Sequence, residues 1–367
     1  MIRVAQVVGK MNGGGVESVV MNYYRAICRE NIQFDFIIDS DSRLVPFEEI
    51  EALGGRVFLV PPYQKQFSYQ RQIRMLFKEE RWRIVHSHVN TLSVFPLSAA
   101  KSARVPVRIA HSHSSSGGGR GESARDVLKS LLRKTSNLYP THRIACSKVA
   151  GDWLFGENEN YMIIRNAVDI GAFKSSLSER MEARRALGLS KTAFVVGHIG
   201  RMAPQKNHRR LLEIFAALKC VEKDSILLLA GDGPLEFEVK EQVKRLGLAD
   251  SVRFLGYIDN STCLYNAMDV FCLPSLYEGL PVVGVECQAS DTPILASTEV
   301  TPEAAMTSLM DFESLSASDS DWAQHLLSMR ERALTPDDEN SLAQFDIALN
   351  AIKLAKVYEN CLEGLDG

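Results

Sequence analysis

The chain has 367 residues, more than one domain usually holds, so two domains of similar size are the default. Charged residues at 24%, hydrophobic ones at 46% and a formal charge of -3 describe an ordinary globular protein with no global attraction for nucleic acid, so any phosphate site must be local. Seven scattered cysteines with no C-x-x-C pair argue against a disulfide framework or a zinc site, and the N-terminus opens on a strand pattern rather than a leader.

No apolar run approaches the roughly 18 residues of a membrane span, so a cytoplasmic protein is expected, with room for peripheral contact at the inner face of a membrane. Residues 2–8 form an apolar strand pattern, Gly13-Gly14-Gly15 follow, and Val16, Val19, Val20, Tyr23 and Ile27 then share one helical face. Such a strand, glycine loop and helix unit lets backbone N–H groups approach an anion at the helix N-terminus. The glycines are contiguous, so they do not spell the dinucleotide fingerprint G-x-G-x-x-G, although Asp39 closes the next strand at about the distance of a ribose-binding acid.

Strand patterns recur at 34–38, 56–60, 84–86 and 107–110 with helical stretches between them, which predicts a parallel, doubly wound sheet. Two of these strands end in His86-Ser87-His88 and His111-Ser112-His113, and the carboxyl ends of strands are where open α/β sheets bind ligands. H-x-H can chelate a metal, but no further ligand cluster at recognisable spacing accompanies it, so no metal is expected. Residues 114–121, SSSGGGRG, read as a flexible loop, either closing over an acceptor or simply at the surface. The Ser- and charge-rich stretch 171–190 reads as a connection between two halves.

The alternation restarts with strands at 193–199, 225–231 and 251–257, a short buried one at 270–273 and another at 293–296, followed by mostly helical segments. Arg201 and Lys206 stand just past the first of these, two cations beside a strand end, as a diphosphate requires; Arg209 and Arg210 read as a solvated basic face. Pro281 suits the first turn of a helix on which Val282, Val285, Glu286 and Ala289 share a stripe. A carboxylate within that stripe needs a hydrogen-bonding partner from the protein or from a ligand.

The stretch FCLPSLYEGLPVVGVE, with Glu278 in E-G-x-P and Glu286 at the second position of E-x7-E, resembles the signature of retaining glycosyltransferases of the family 4 kind. G-R-x4-K-N at 200–207, A-G-D-G-P at 230–234 and I-R-N-A-V-D at 164–169, with Ala167 where the family has glycine, extend the resemblance over most of the chain. Exopolysaccharide and capsule glycosyltransferases look most similar. The resemblance implies a GT-B fold, two Rossmann-like doubly wound domains facing a central cleft: an acceptor-side domain over 1–170, with a C-terminal helix at 345–367 crossing back to it, and a nucleotide-sugar domain over 171–344.

It further implies a metal-independent hexosyltransferase needing no cofactor, which moves a sugar from a nucleotide diphosphate donor to a sugar or lipid-linked sugar acceptor with retention of configuration. Arg201 and Lys206 would stabilise the departing diphosphate, Glu278 would meet the sugar, and Glu286 the ribose. Gly14, Gly15, Gly200, Tyr257, Gly279, Leu280 and Pro281 would line the donor. His111 is the first choice for an active-site histidine and His113 the second, with His88 and His113 as acceptor-side candidates. A nucleotide-sugar 2-epimerase of the same fold and a paralogue that only binds nucleotide sugars are the alternatives.

Overall fold

A computed structural model describes residues 1–114, 130–174 and 176–366. The chain divides into two compact units, Met1–Ala167 with Ile347–Gly367, and Val168–Asp346. Each is built on one wholly parallel sheet.

In the first unit the strands are β1 (Ile2–Gly9), β2 (Ile32–Asp39), β3 (Arg56–Val60), β4 (Ile84–Ser87), β5 (Val107–Ser112), β6 (His142–Ala145) and β7 (Met162–Ile163). Their order is β3-β2-β1-β4-β5-β6-β7, so the winding reverses between β1 and β4. Central strands are covered on both faces and read as near-continuous apolar runs; every residue of β2 is buried. Asp35 sits within that run at 0% exposure, held by Arg3, Arg56 and the Trp82 indole, the last at 2.7 Å. Burial alone would push its pKa up, but these hydrogen bonds hold it below the ordinary carboxylate range.

The second unit orders β8 (Phe194–Ile199), β9 (Ser225–Ala230), β10 (Val252–Gly256), β11 (Val270–Leu273), β12 (Ile294–Ser297) and β13 (Met310–Glu313) as β10-β9-β8-β11-β12-β13. Its reversal lies between β8 and β11. Phe194, Phe215, Leu227, Leu229 and Trp322 fill its core, and each such side chain contributes roughly 1.5–3 kcal/mol by leaving water.

Several expectations need correction. Residues 177–186, within the stretch read as the connection between the halves and entry to the second, are a capped helix: Ser176 and Glu179 form its capping box, and Arg180 and Arg184 both pair with Asp269 at 2.6 Å. The stretch after β12 contains a further strand, β13. Arg210 is not solvated but tied to Asp319 and to the Ala317 carbonyl. In the C-terminal helix Ile347–Asp366, Ile352 faces solvent at 56% exposure, while Leu354, Tyr358 and Leu362 are buried. The loop reading of residues 115–121 lies outside the described residues.

Candidate functional site

At the reversal of the second sheet, the loop after β8 and the loop after β11 lie side by side, the place where doubly wound sheets open a crevice at their strand ends. The Leu276 N–H donates to the Gln205 carbonyl (2.8 Å), joining the two loops. Lys206 Nζ reaches Glu278 Oε1 at 2.8 Å, with both side chains largely buried at 15% and 9% exposure. Gln205 Nε2 donates to Glu278 Oε2 (3.0 Å), and Ser275 Oγ donates to Oε1 (3.1 Å). Arg201 stands exposed on the first loop.

Gly200 explains itself by space: a Cβ there would meet Lys206 Cε at 2.9 Å. Gly231, at φ +115°, would place a Cβ 2.3 Å from the Gly200 carbonyl oxygen, and Gly233, at φ +155°, would place one 2.5 Å from that of Met202. The glycines of A-G-D-G-P are therefore where the loop after β9 rests on the backbone carrying Arg201.

Helix Val282–Ala289 begins one residue later than expected, with Pro281 at its N-cap. It is buried on most sides, and Glu286 is only partly covered. The partner its position requires comes from the protein: Tyr265 Oη donates to Glu286 Oε2 at 2.8 Å. Burial raises the Glu286 pKa, against the opposing pull of Tyr265, Ser261 and the more distant Lys206 charge. Leu280 is buried, and Tyr257 lies exposed past the end of edge strand β10, two strands from β8.

Sequence reasoning missed Gln205, Ser275 and Tyr265. It also missed His198 and His208, neutral imidazoles packed edge to face at 4.8 Å. Burial drives both pKa values down, with help from Lys206; His208 falls to about 4.

In the first unit the glycine loop is filled from within. Glu17 Oε2 accepts from the backbone N–H groups of Asn12 (2.9 Å), Gly13 (2.6 Å) and Gly14 (2.8 Å). The anion expected at this helix N-terminus is thus the protein's own carboxylate, so Gly14 does not offer its N–H outward. Gly15 opens helix Gly15–Ala26.

His86, His88, His111 and His113 are all buried and form one hydrogen-bonded network. Gln6 Nε2 donates to Tyr358 Oη (3.1 Å), and Gln6 Oε1 accepts from His88 Nε2 (2.8 Å). With the Gln6 amide so oriented, the Tyr358 hydroxyl donates to His86 Nδ1 (2.7 Å), and His86 Nε2 then donates to His111 Nδ1 (3.2 Å). His111 is left as the Nε2–H tautomer. Among the described residues that buried nitrogen has no hydrogen-bond partner, and the Ile164 backbone only partly offsets the downward shift of the ring. On the other branch His113 Nε2 donates to His88 Nδ1 (2.9 Å); its Nδ1, then an acceptor, stands 3.2 Å from Asn166 Oδ1, so the neutral ring is paired there only with the Asn166 amide turned to present its NH2.

Desolvation holds all four imidazoles neutral: His113 falls to about 4, and the others lie well below their ordinary value. One nitrogen from each of His86, His88 and His111 lies within 4.8 Å of the others, near enough for a shared ion. Five of those six ring nitrogens already hold hydrogen bonds, which ligation would have to dismantle.

Two parallel, doubly wound units with converging strand-end loops at each reversal define a protein of the GT-B fold. HepE of Anabaena, solved in complex with UDP and glucose, matches it with a TM-score of 0.81 at 18% identity, covering 98% of this chain and all of that one. Residues 13–171 match the family described as Glycosyltransferase Family 4, and residues 179–307 match Glycosyl transferases group 1. Over 370 residues the chain is 36% identical to the provisionally named glycosyltransferase EpsF of Bacillus subtilis (strain 168), covering 97% of this chain and 96% of that one. It is 26% identical to the UDP-Gal:alpha-D-GlcNAc-diphosphoundecaprenol alpha-1,3-galactosyltransferase of Escherichia coli, covering 77% and 76%. The chain belongs to these glycosyltransferases.

Proposed function

We propose that this glycosyltransferase moves a hexose from a nucleoside diphosphate donor to a hydroxyl of a sugar or lipid-linked sugar acceptor, with retention of configuration, in the assembly of a cell-surface polysaccharide. The observation that carries the reading is the pairing of Lys206 with Glu278 beside an exposed Arg201 at the β8/β11 reversal. As the bond from the anomeric carbon to the phosphate oxygen breaks, its electrons leave with the diphosphate. Lys206, held in place by Glu278, and the exposed Arg201 stabilise that growing charge without a metal. Glu278, already oriented by three donors, meets the sugar as its anomeric centre becomes cationic, while Glu286 holds the ribose hydroxyls. His111 is assigned to the sugar as a neutral donor, since the Tyr358–His86 chain fixes its proton on Nε2.

The relatives support the chemical class: HepE is solved with UDP, and the Escherichia coli enzyme's name gives it a UDP-sugar donor and a diphosphoundecaprenol-linked acceptor. An acceptor of that kind would bring the protein to the inner face of a membrane as a peripheral enzyme. Among the described residues no helix is long and apolar enough to cross one.

A panel of UDP-sugars and other nucleotide sugars, assayed with and without acceptor, tests the proposal. Transfer should require the acceptor, Glu286→Gln should raise the donor KM more than it lowers kcat, and Glu278→Gln should chiefly lower kcat. A product formed from donor alone, epimeric at C2, would overturn it, as would equal weakening of nucleoside diphosphate binding by both variants.

A further inference from the structure

Helix Gln66–Glu80 packs Tyr69, Ile73 and Phe77 into the core of the first unit. Its opposite face carries Phe67, Arg71, Arg74, Met75 and Lys78, at positions i, i+4, i+7, i+8 and i+11, within about 100° of arc. All five are exposed, Phe67 at 91% and Met75 at 48%. The adjoining edge strand β3 adds Leu59 at 46%, and Leu59, Phe67 and Met75 line one open groove of about 1020 Å³. No acid interrupts the five positions. Glu79 lies at their margin, and Glu80 is committed to Arg56 at 2.8 Å. Among the described residues no ion pair reaches Arg71, Arg74 or Lys78.

We infer that this face docks on an anionic lipid surface, with Phe67 and Met75 entering the headgroup boundary and Arg71, Arg74 and Lys78 meeting lipid phosphates. A phenylalanine left 91% in water is costly for a helix already well anchored, and interleaved cations without acids match a field of phosphates. A second copy of the chain fits less well, because a two-fold contact through this face would set its cations against themselves. The whole chain carries a formal charge of -3, so the basic character of this face is local rather than a property of the molecule. The inference deepens the proposed function, since a lipid-linked acceptor would lie in such a surface. Vesicles without acceptor test it apart from sugar transfer.

The full chain is sedimented with vesicles of phosphatidylcholine alone, or of phosphatidylcholine and phosphatidylglycerol in equal parts. Each basic residue near an anionic surface strengthens binding by roughly fivefold, so R71Q/R74Q/K78Q should bind the mixed vesicles about 10²-fold more weakly. Phe67→Ser should keep the salt-sensitive attraction but lose the binding that survives high salt. Thermal melts and transfer to a soluble acceptor should match the parent for both variants. Equal binding to the two vesicle types, or unaltered binding by the triple variant, overturns the inference. So does a dimer in analytical ultracentrifugation that Phe67→Ser abolishes.

Discussion

Four neutral, buried imidazoles make the first unit sensitive to mild acid. In the unfolded chain each titrates near its ordinary value of about 6.5, whereas in the folded protein His113 does so at about 4 and His86, His88 and His111 remain neutral well below their ordinary value. Below about pH 6.5 the unfolded state therefore binds protons that the folded state refuses, and stability falls as pH falls. From pH 7.5 to 5.5 each histidine removes about 1.4 kcal/mol, and the four together about 5 kcal/mol. Asp39 acts oppositely: burial and Asp41 raise it to about 6, so the folded state takes a proton first and regains about 1 kcal/mol over the same interval. The net loss from these groups is about 4.5 kcal/mol, a large share of the usual 5–15 kcal/mol, and His142 in β6, also lowered by burial, adds to it in the same direction. Urea titrations across this pH range, read by hydrogen exchange in β1 and β4, measure it for this unit. Asp39→Asn should steepen the loss by removing the opposing group. A flat profile, or a loss no larger than one histidine would give, refutes the neutral network.

Lys206→Met should destabilise the second unit by about 3 kcal/mol, because it leaves Glu278 buried without its cation, and pairing it with Glu278→Gln should recover most of the loss in a thermal melt. Arg201→Ala, which breaks no ion pair among the described residues, should leave the melting temperature nearly unchanged yet lower kcat by about 10²-fold, so a large loss of stability would contradict its placement. Turnover should survive EDTA; complete loss restored by Mg²⁺ or Mn²⁺ would sink the metal-free mechanism. Tyr358→Phe removes the proton that fixes His86, so ¹⁵N NMR of the imidazole nitrogens should show His111 shift from a single Nε2–H tautomer to a mixture, and an unchanged spectrum would break the chain.

Most strands were legible because the central strands of both sheets are covered on two faces and read as near-continuous apolar runs; the central strand at 270–273 and the edge strand at 56–60 were read to the residue. β13 was not, because Met310–Glu313 carries Asp311 and Glu313, which pair with His325 and Arg332 and look in sequence like an acidic loop. Two local signals were present and passed over: Ser176 to Glu179 and Gly14 to Glu17 both have capping-box spacing, and the second also occupies the glycine loop. Around the candidate site, the strand ends and helix start that carry Arg201, Lys206, Glu278 and Glu286 were readable, and the side chains that hold them were not. Glu286 needed a donor on spacing alone, but nothing in sequence singles out Tyr265, 21 residues earlier. Tyr358 reaches His86 across 272 residues, a distance only the fold closes.

The two glycines of A-G-D-G-P carry a consequence for reading natural variants. Alanine at 231 or 233 would alter no charge, yet it would push the loop after β9 off the carbonyls of Gly200 and Met202. Arg201 would ride with that backbone, and a displacement of an ångström or so is enough to misplace a phosphate contact. Under the proposed function such a variant would bind donor poorly although the side chains of Arg201, Lys206, Glu278 and Glu286 are unchanged. The motif in effect works as a spacer beneath Arg201, set by backbone contact rather than by charge.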